Sequence, residues 1–467
     1  MAVESGSGEP VPRKKASRKR RLRRRARNTA ARIALAVLGA LVPAVLAPTR
    51  FLDGLRARRA DPPSARRVVV LVQHAQGTGG TVRTVLTYAA YLARHHDVEV
   101  VGLVRESARP FFPFPPGVRV TWLDDRVEPP RGARGLVRAV LARVPSALVP
   151  VGEPSRGRCS LWTDALLVRR LRSLRGCVVI GTRPSLNLAA ARFAGADVIT
   201  VGQEHMNLAA HRPGVRAEIL RRYPRLDALV TLTRADLESF RREVPGLARP
   251  HRIPNAVPAL GGGRADPAAR VVLAAGRLVP QKGFDLLLAA WERVEAAHPD
   301  WELRIFGAGR LQRSLTKKVA AHGLTRARLM GRTDAIGEEM GKASVYALSS
   351  RFEGLPMVLI EAMSKGMAVV AFDCPTGPAE VVADGADGLL VPAEDVAALA
   401  RALDRAMTDE DLRRRLGERA VETARRYDLD AVGARWDELL DELVRARRTG
   451  GRTGSRTGGR PGGHSGE

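Results

Sequence analysis

Between Arg66 and Arg447 the chain alternates short unbroken apolar runs with longer amphipathic segments. Arg67-Val-Val-Val-Leu-Val-Gln, Val98-Glu-Val-Val-Gly-Leu-Val, Cys177-Val-Val-Ile and Asp197-Val-Ile-Thr-Val carry the β-branched content of buried strands. Asp227-Ala-Leu-Val-Thr-Leu-Thr and Arg252-Ile-Pro-Asn-Ala-Val close this first series. A second series follows in Val271-Val-Leu-Ala-Ala, Trp301-Glu-Leu-Arg-Ile-Phe, Val345-Tyr-Ala-Leu-Ser-Ser, Ala368-Val-Val-Ala-Phe and Gly388-Leu-Leu-Val-Pro. Helical periodicity fills the gaps, as at 82–94, 161–174 and 284–297. Strand, glycine loop, helix, strand is the order of a Rossmann-like βαβ unit, so the pattern predicts an α/β fold. Two such units are expected, at 66–257 and 268–425, joined by the glycine-rich hinge Pro258-Ala-Leu-Gly-Gly-Gly-Arg. The chain length of 467 residues suits two substantial cores. Residues 105–165 fit the pattern poorly, and only Val118-Arg-Val-Thr-Trp-Leu reads as a strand there.

Charge changes the picture at the two ends. The formal net charge of +28 is concentrated in tails. Eleven of the fifteen residues from Arg13 to Arg27 are Lys or Arg, and a Gly/Arg-rich segment occupies 448–467. Residues 1–29 have no apolar face to bury and are expected to be disordered. Within 30–52, the sixteen residues Ile33 to Pro48 carry no charge, and Arg32 and Arg50 flank them. That is short of the roughly twenty residues a spanning helix needs. An interfacial segment, with residues 13–52 on an anionic inner leaflet, is the expectation; a helix packed on the enzyme itself is the alternative. Such a chain sits in the cytoplasm, peripherally or N-terminally associated with the membrane. The three cysteines (Cys159, Cys177, Cys374) have no metal-ligand spacing. A nucleic-acid-binding role is disfavoured because the basic runs lack interleaved aromatics.

The candidate chemistry gathers around Ser350-Arg-Phe-Glu-Gly-Leu-Pro-Met-Val-Leu-Ile-Glu-Ala-Met-Ser-Lys-Gly366. This stretch ends a strand and opens a helix at Pro356, a residue suited to the first helical position. Gly354 lets a backbone approach a ligand closely. The free N–H groups of Met357 and Val358 at the helix start suit a phosphate. Glu353 and Glu361, eight residues apart, can accept hydrogen bonds from sugar hydroxyls on either side of it. In Gly276-Arg-Leu-Val-Pro-Gln-Lys-Gly283, Arg277 and Lys282 put two cations on one strand-to-helix loop. Such a pair binds a diphosphate and stabilises negative charge that builds on it. The loop His74-Ala-Gln-Gly-Thr-Gly-Gly80 lacks the spacing of a dinucleotide fingerprint. His205 falls at a strand end, where α/β sheets meet ligands. No Asp-x-Asp stands at a strand end: Asp428-Leu-Asp430 lies in a late helical segment and Asp124-Asp125 is adjacent.

Together these motifs resemble the retaining GT-B glycosyltransferases of family 4, the glycosyl transferases group 1, in a bacterial, actinobacterial-type composition rich in Arg and Ala. The resemblance covers roughly 66–445 and is strongest over 252–396. It implies two Rossmann-like domains facing across a cleft, acceptor domain first and nucleotide-sugar domain second, with a final helix at 426–447 crossing back to the first domain. In that family the second Glu of the pair holds the nucleotide ribose and the first contacts the transferred sugar; these roles fall on Glu361 and Glu353. Arg277 and Lys282 take the diphosphate and His205 lies near the sugar. Donor contacts are implied at Gly79, Gly80, Gly276, Gly307, Gly354, Leu355, Met357 and Val358. No cofactor and no metal are implied, the nucleoside-diphosphate sugar being the substrate. The expected reaction moves a hexose-type sugar, with retention, to a cell-envelope glycan, wall polymer or lipid-linked acceptor. Gly377-Pro-Ala-Glu380 is a version of a family segment found in envelope and teichoic-type branches. Transfer to a small soluble acceptor such as inositol phosphate is the alternative within the class. A non-catalytic scaffold using the basic tails is the alternative outside it.

Overall fold

The computed structural model describes residues 66–77 and 79–453. The basic run at 13–27, the apolar stretch at 33–48 and the residues after 453 lie outside them. Seven strands build the first sheet: β1 (Arg67–Val72), β2 (Asp97–Arg105), β3 (Val118–Asp125), β4 (Val178–Gly181), β5 (Ile199–Gln203), β6 (Ala228–Thr231) and β7 (Pro250–Arg252). Their spatial order is β3-β2-β1-β4-β5-β6-β7, and every pairing is parallel. The second sheet contains β8 (Val271–Ala275), β9 (Glu302–Phe306), β10 (Ala327–Gly331), β11 (Val345–Leu348), β12 (Ala368–Asp373) and β13 (Leu389–Pro392). It runs β10-β9-β8-β11-β12-β13, again parallel throughout. Unbroken Val and Ile runs serve both sheets because helices cover both faces, leaving no solvated side for alternating polar residues.

In each sheet the strand order reverses once, between β1 and β4 and between β8 and β11. Loops leaving neighbouring strands diverge there to opposite faces, which opens a crevice at the carboxyl ends. The glycine loop after β1, the Arg277–Lys282 loop after β8 and the Glu353 loop after β11 all start at these reversals. Topology alone therefore brings the sequence motifs to the two mouths.

The last helix, Leu429–Thr453, extends six residues past the expected end at Arg447. Val432, Trp436, Leu439, Leu440 and Leu443 are buried in the core of the first domain, although the preceding helix Glu410–Ala424 packs on the second. Trp436 stacks on Tyr88 with ring centroids 5.0 Å apart. Tyr91 Oη donates to Asp437 at 2.9 Å, and Arg447 reaches Asp227 at 2.8 Å. The crossing helix is thus a structural part of the first domain.

The linker expected as a hinge is tied to the second domain. Lys365 Nζ donates to the Gly261 carbonyl at 2.6 Å, and Ala265 N–H to the Lys365 carbonyl at 2.7 Å. Gly262 has φ +88°, and a Cβ there would sit 2.4 Å from the Glu338 Cα, so only glycine fits. Residues 105–165 also hold more than a strand. A helix at Gly132–Leu141 and a 3-10 turn at Pro154–Arg158 occupy the excursion. The segment at 284–297 is one helix, Phe284–Glu292, followed by a separate 3-10 turn at Glu295–Ala297.

Trp436 is fully buried, so its truncation leaves a large cavity under the crossing helix. Trp436→Ala should lower the unfolding free energy by about 3–5 kcal/mol, measured by denaturant unfolding. A loss below about 1 kcal/mol would mean that the helix is not seated there in solution.

Candidate active site at the facing sheet edges

The Glu353 loop is held from several sides. Lys282 Nζ donates to Glu353 Oε1 at 2.6 Å, and Ser350 Oγ to the same oxygen at 2.5 Å. Thr376 Oγ1 donates to the Glu353 carbonyl. Gly283, with φ +60°, lies so close to the Ser349 carbonyl that a Cβ would be 1.9 Å from that oxygen. The loops after β8 and β11 are thereby locked together. Arg351, their neighbour, is spent on structure: it forms a forked pair with Asp285 at 3.0 and 2.8 Å. Arg277 is different. It is exposed, and its side chain makes no hydrogen bond or ion pair among the described residues. A free guanidinium beside a charge-paired Lys at one switch point can receive an anion.

Gly276 and Gly307 fit each other rather than open space. Gly307 has φ +140°, and a Cβ there would fall 1.8 Å from the Gly276 carbonyl oxygen. A Cβ at Gly276 would touch the Lys282 stem at 3.3 Å. Gly79 and Gly80 behave oppositely: among the described residues nothing lies within 4 Å of a Cβ built on either. Gly79 caps the helix Gly80–Leu92 with an ordinary φ of −78°. Neither protein packing nor backbone strain explains these two glycines, which leave room beside the helix start.

The helix start after Glu353 differs from expectation. Pro356 is the cap and Met357 the first helical residue. Met357 N–H does not point free; a tight turn about Pro356 (φ −79°, ψ 79°) folds it onto the Leu355 carbonyl at 2.9 Å. Leu359 and Ile360 N–H bond the Pro356 carbonyl, so among the described residues Val358 keeps the open donor. Leu355 is buried in the second core.

First-domain groups close over this face. Arg83, in the first turn of the helix after the glycine loop, pairs with Glu361 at 2.9 Å. Glu361 is buried; desolvation raises its pKa, and the Arg83 charge and hydrogen bond oppose the rise. Asn207 Nδ2 donates to Thr376 Oγ1 at 2.7 Å, which joins the β5 exit to the Glu353 loop through Thr376. Among the described residues a Cβ on Gly354 would meet only the His205 carbonyl, at 3.6 Å. Glu380 accepts from the N–H groups of Arg234 and Ala235 and pairs with Arg252 at 3.2 Å. His205 is half-buried, and its Nε2 is shielded from solvent with no hydrogen-bond partner among the described residues. Burial first, then the Arg183 charge, pushes its pKa down to about 4. It presents a neutral imidazole at physiological pH. A separate cleft of about 510 Å³ lies to one side, between Arg234, Arg252 and the Asp373–Glu380 loop. Neither Arg277 nor Lys282 lines it.

Lys282, Glu353, Gly354, Glu361 and His205 thus meet across the domains, with Arg277 on the Lys282 loop. Arg83, Asn207, Ser350 and Thr376 complete the arrangement without a signal of their own in the sequence. Asn207 and Ser350 lie inside stretches whose glutamates and histidine drew attention. Arg83 is one arginine among many on an amphipathic helix.

Two doubly wound parallel domains, with the loops of both reversals facing each other, define the GT-B fold. In line with this, TarM from S. aureus superposes with TM-score 0.66 over 81% of this chain and 99% of its own, at 14% identity. Sucrose-phosphate synthase from Thermosynechococcus elongatus does so with TM-score 0.63 over 82% and 100%, at 18% identity. Residues 263–423 match the family Glycosyl transferases group 1, and the second domain belongs to it. An exopolysaccharide phosphotransferase of Streptomyces coelicolor is 37% identical over 394 residues, 82% of this chain. The chain spans 41% of that relative's length. An α-1,4-N-acetyl-D-galactosaminyltransferase of Campylobacter jejuni, whose name gives a diphospho-undecaprenol-linked glycan as acceptor, is 26% identical over 79% of this chain and 97% of its own.

Removing Arg83 orphans a buried carboxylate. Because Arg83 is itself about one-third exposed, Arg83→Ala should cost about 1–3 kcal/mol in unfolding free energy. Glu361→Gln added to that variant should restore part of the loss, since a buried neutral amide is less costly than an unpaired carboxylate. Denaturant unfolding of both variants reads the effect. An unchanged stability in Arg83→Ala would mean that the pair does not form in solution.

Proposed function

We propose that this chain is a retaining, metal-independent glycosyltransferase that moves a hexose-type sugar from a nucleoside-diphosphate sugar to a cell-envelope glycan, wall-polymer or lipid-linked acceptor. The observation that carries the reading is the unpaired Arg277 on the same loop as the Lys282–Glu353 pair, beneath a face where His205 and Gly354 meet. Arg277 and Lys282 would take the donor diphosphate. As the glycosidic bond breaks, negative charge builds on that leaving group, and two cations on one loop, Lys282 held by Glu353, lower its energy. Glu361 would hold the ribose, which requires its exchange of Arg83 for sugar hydroxyls. Glu353, fixed by Lys282 and Ser350, would orient the transferred sugar, and the unpartnered His205 nitrogen would hydrogen-bond it from the first domain. Gly79 and Gly80 leave room for the donor or acceptor at the helix start. Val358 supplies a helix-start N–H; Gly276 and Gly307 shape the loop beneath, and Leu355 and Met357 form the turn ahead of the helix.

The acceptor class is supported by the Campylobacter relative, of which the chain covers nearly all. The Streptomyces relative is named for phosphotransfer, an activity of a protein more than twice as long as the matched part. The inner membrane leaflet, reached through residues 13–52, is the proposed working surface. Among the described residues no helix is long and apolar enough to cross a membrane.

Intact protein should be supplied with UDP-, GDP- and ADP-hexoses and lipid-linked or polyol-phosphate acceptors, with and without EDTA. One donor should give a glycoside whose anomeric configuration, read by NMR, equals that of the donor, at a rate EDTA leaves unchanged. Arg277→Ala should lower the rate by about 10²–10³-fold. An inverted product would contradict retention; transfer of a sugar phosphate would move the reading to phosphotransfer.

A further inference from the structure

The helix Gly132–Leu141 is turned inside out. It buries none of its residues. Arg138 reaches inward, its Nε 2.8 Å from the buried Asp124 carboxylate. Arg134, four residues earlier on the same face, lies 5.9 Å over the Trp162 ring. The apolar residues point the other way: Leu136 is 73% exposed, Val140 63% and Val137 49%. With Ala133 they form one continuous arc of the helix. Val127 and Phe111 are also exposed, on the segments that leave β3 and β2, two strands paired at this edge of the sheet. A soluble helix normally hides such an arc against its own domain, and a contiguous exposed apolar patch marks an interaction surface.

Charge selects the occupant. Arg138 is tied to Asp124, but Arg131, Arg134 and Arg143 stay exposed, and beyond the exposed Glu128 the segment 129–143 has no acidic residue. A second copy docking through a two-fold axis would set these arginines against their own images. The apolar segment at 33–48 would bring its flanking arginines and the basic run before it onto the same face. An anionic lipid surface accepts both features at once, apolar side chains below the headgroups and guanidinium groups among the phosphates. We propose that this helix lies on an anionic membrane surface, a second contact independent of residues 13–52 and of the transferase reading. The carboxyl ends of β2 and β3 belong to the same sheet end that forms the cleft. Seating the helix on lipid therefore brings the mouth of the first domain to headgroup level.

All three native cysteines are buried, so Val137→Cys in the full chain offers one accessible thiol for an environment-sensitive fluorophore. Vesicles of phosphatidylcholine and phosphatidylglycerol in equal parts should shift its emission to the blue, and vesicles of phosphatidylcholine alone should do so far less. Leu136→Glu in the labelled protein should weaken the shift at least about tenfold in lipid concentration, with an unchanged melting curve. A chain that sediments with anionic vesicles while the label stays water-exposed would overturn the proposal, because the tails alone would then carry binding. So would a label already shielded in buffer, which would reveal cover by a second copy or by the chain itself. An equal shift on both vesicle types would overturn the role of charge.

Discussion

The ion pair between Lys282 and Glu353 is the constraint on which the second domain's functional face depends. Neither residue is near the other in sequence, and each sits on a loop that could otherwise move. Parallel strands β8 and β11 are neighbours, so their exits lie side by side, and the pair ties one exit to the other. Burial makes this arrangement costly for the carboxylate unless its oxygens are satisfied. Lys282 and Ser350 both donate to Oε1, and the backbone around Glu353 is held by Thr376. Only glycine at 283 permits the two loops to approach this closely. With Lys282 and Glu353 neutralising each other, the exposed Arg277 supplies the net positive charge of the face.

A second consequence concerns the relation of the two domains. Arg83, Asn207, Arg234 and Arg252 from the first domain meet Glu361, Thr376 and Glu380 from the second. These contacts are polar, and beside them Leu232 of the first domain joins the apolar core of the second. In the proposed function Glu361 serves two partners in turn. Its buried carboxylate is held by Arg83 in the structure and would be held by ribose hydroxyls with donor bound. Donor entry and the loosening of this contact would then be one event.

Much of this was legible in the sequence because parallel α/β sheets write themselves as unbroken apolar runs and put function at strand exits. The strands around Val70, Val271, Val345 and Val370, the loop cations and the eight-residue glutamate spacing all came from local pattern. What escaped depends on long-range geometry. The Arg83–Glu361 pair joins residues 278 positions apart, and nothing near Arg83 separates it from its neighbours. The Met357 N–H departs from the expected free donor because a proline at the cap, rather than one residue inside, folds it back on the chain. The helix at Gly132–Leu141 was lost inside a Pro- and Arg-rich excursion, since its apolar arc faces outward and matches no core.

The central claim is that Arg277 and Lys282 form a diphosphate site at the β8 exit. Titration calorimetry of the intact chain with UDP, GDP and ADP, beside the same titrations of Arg277→Ala, tests it most directly. One nucleoside diphosphate should give a saturable heat in the native protein that Arg277→Ala loses. No heat from any of the three, or equal binding in both proteins, would contradict the account.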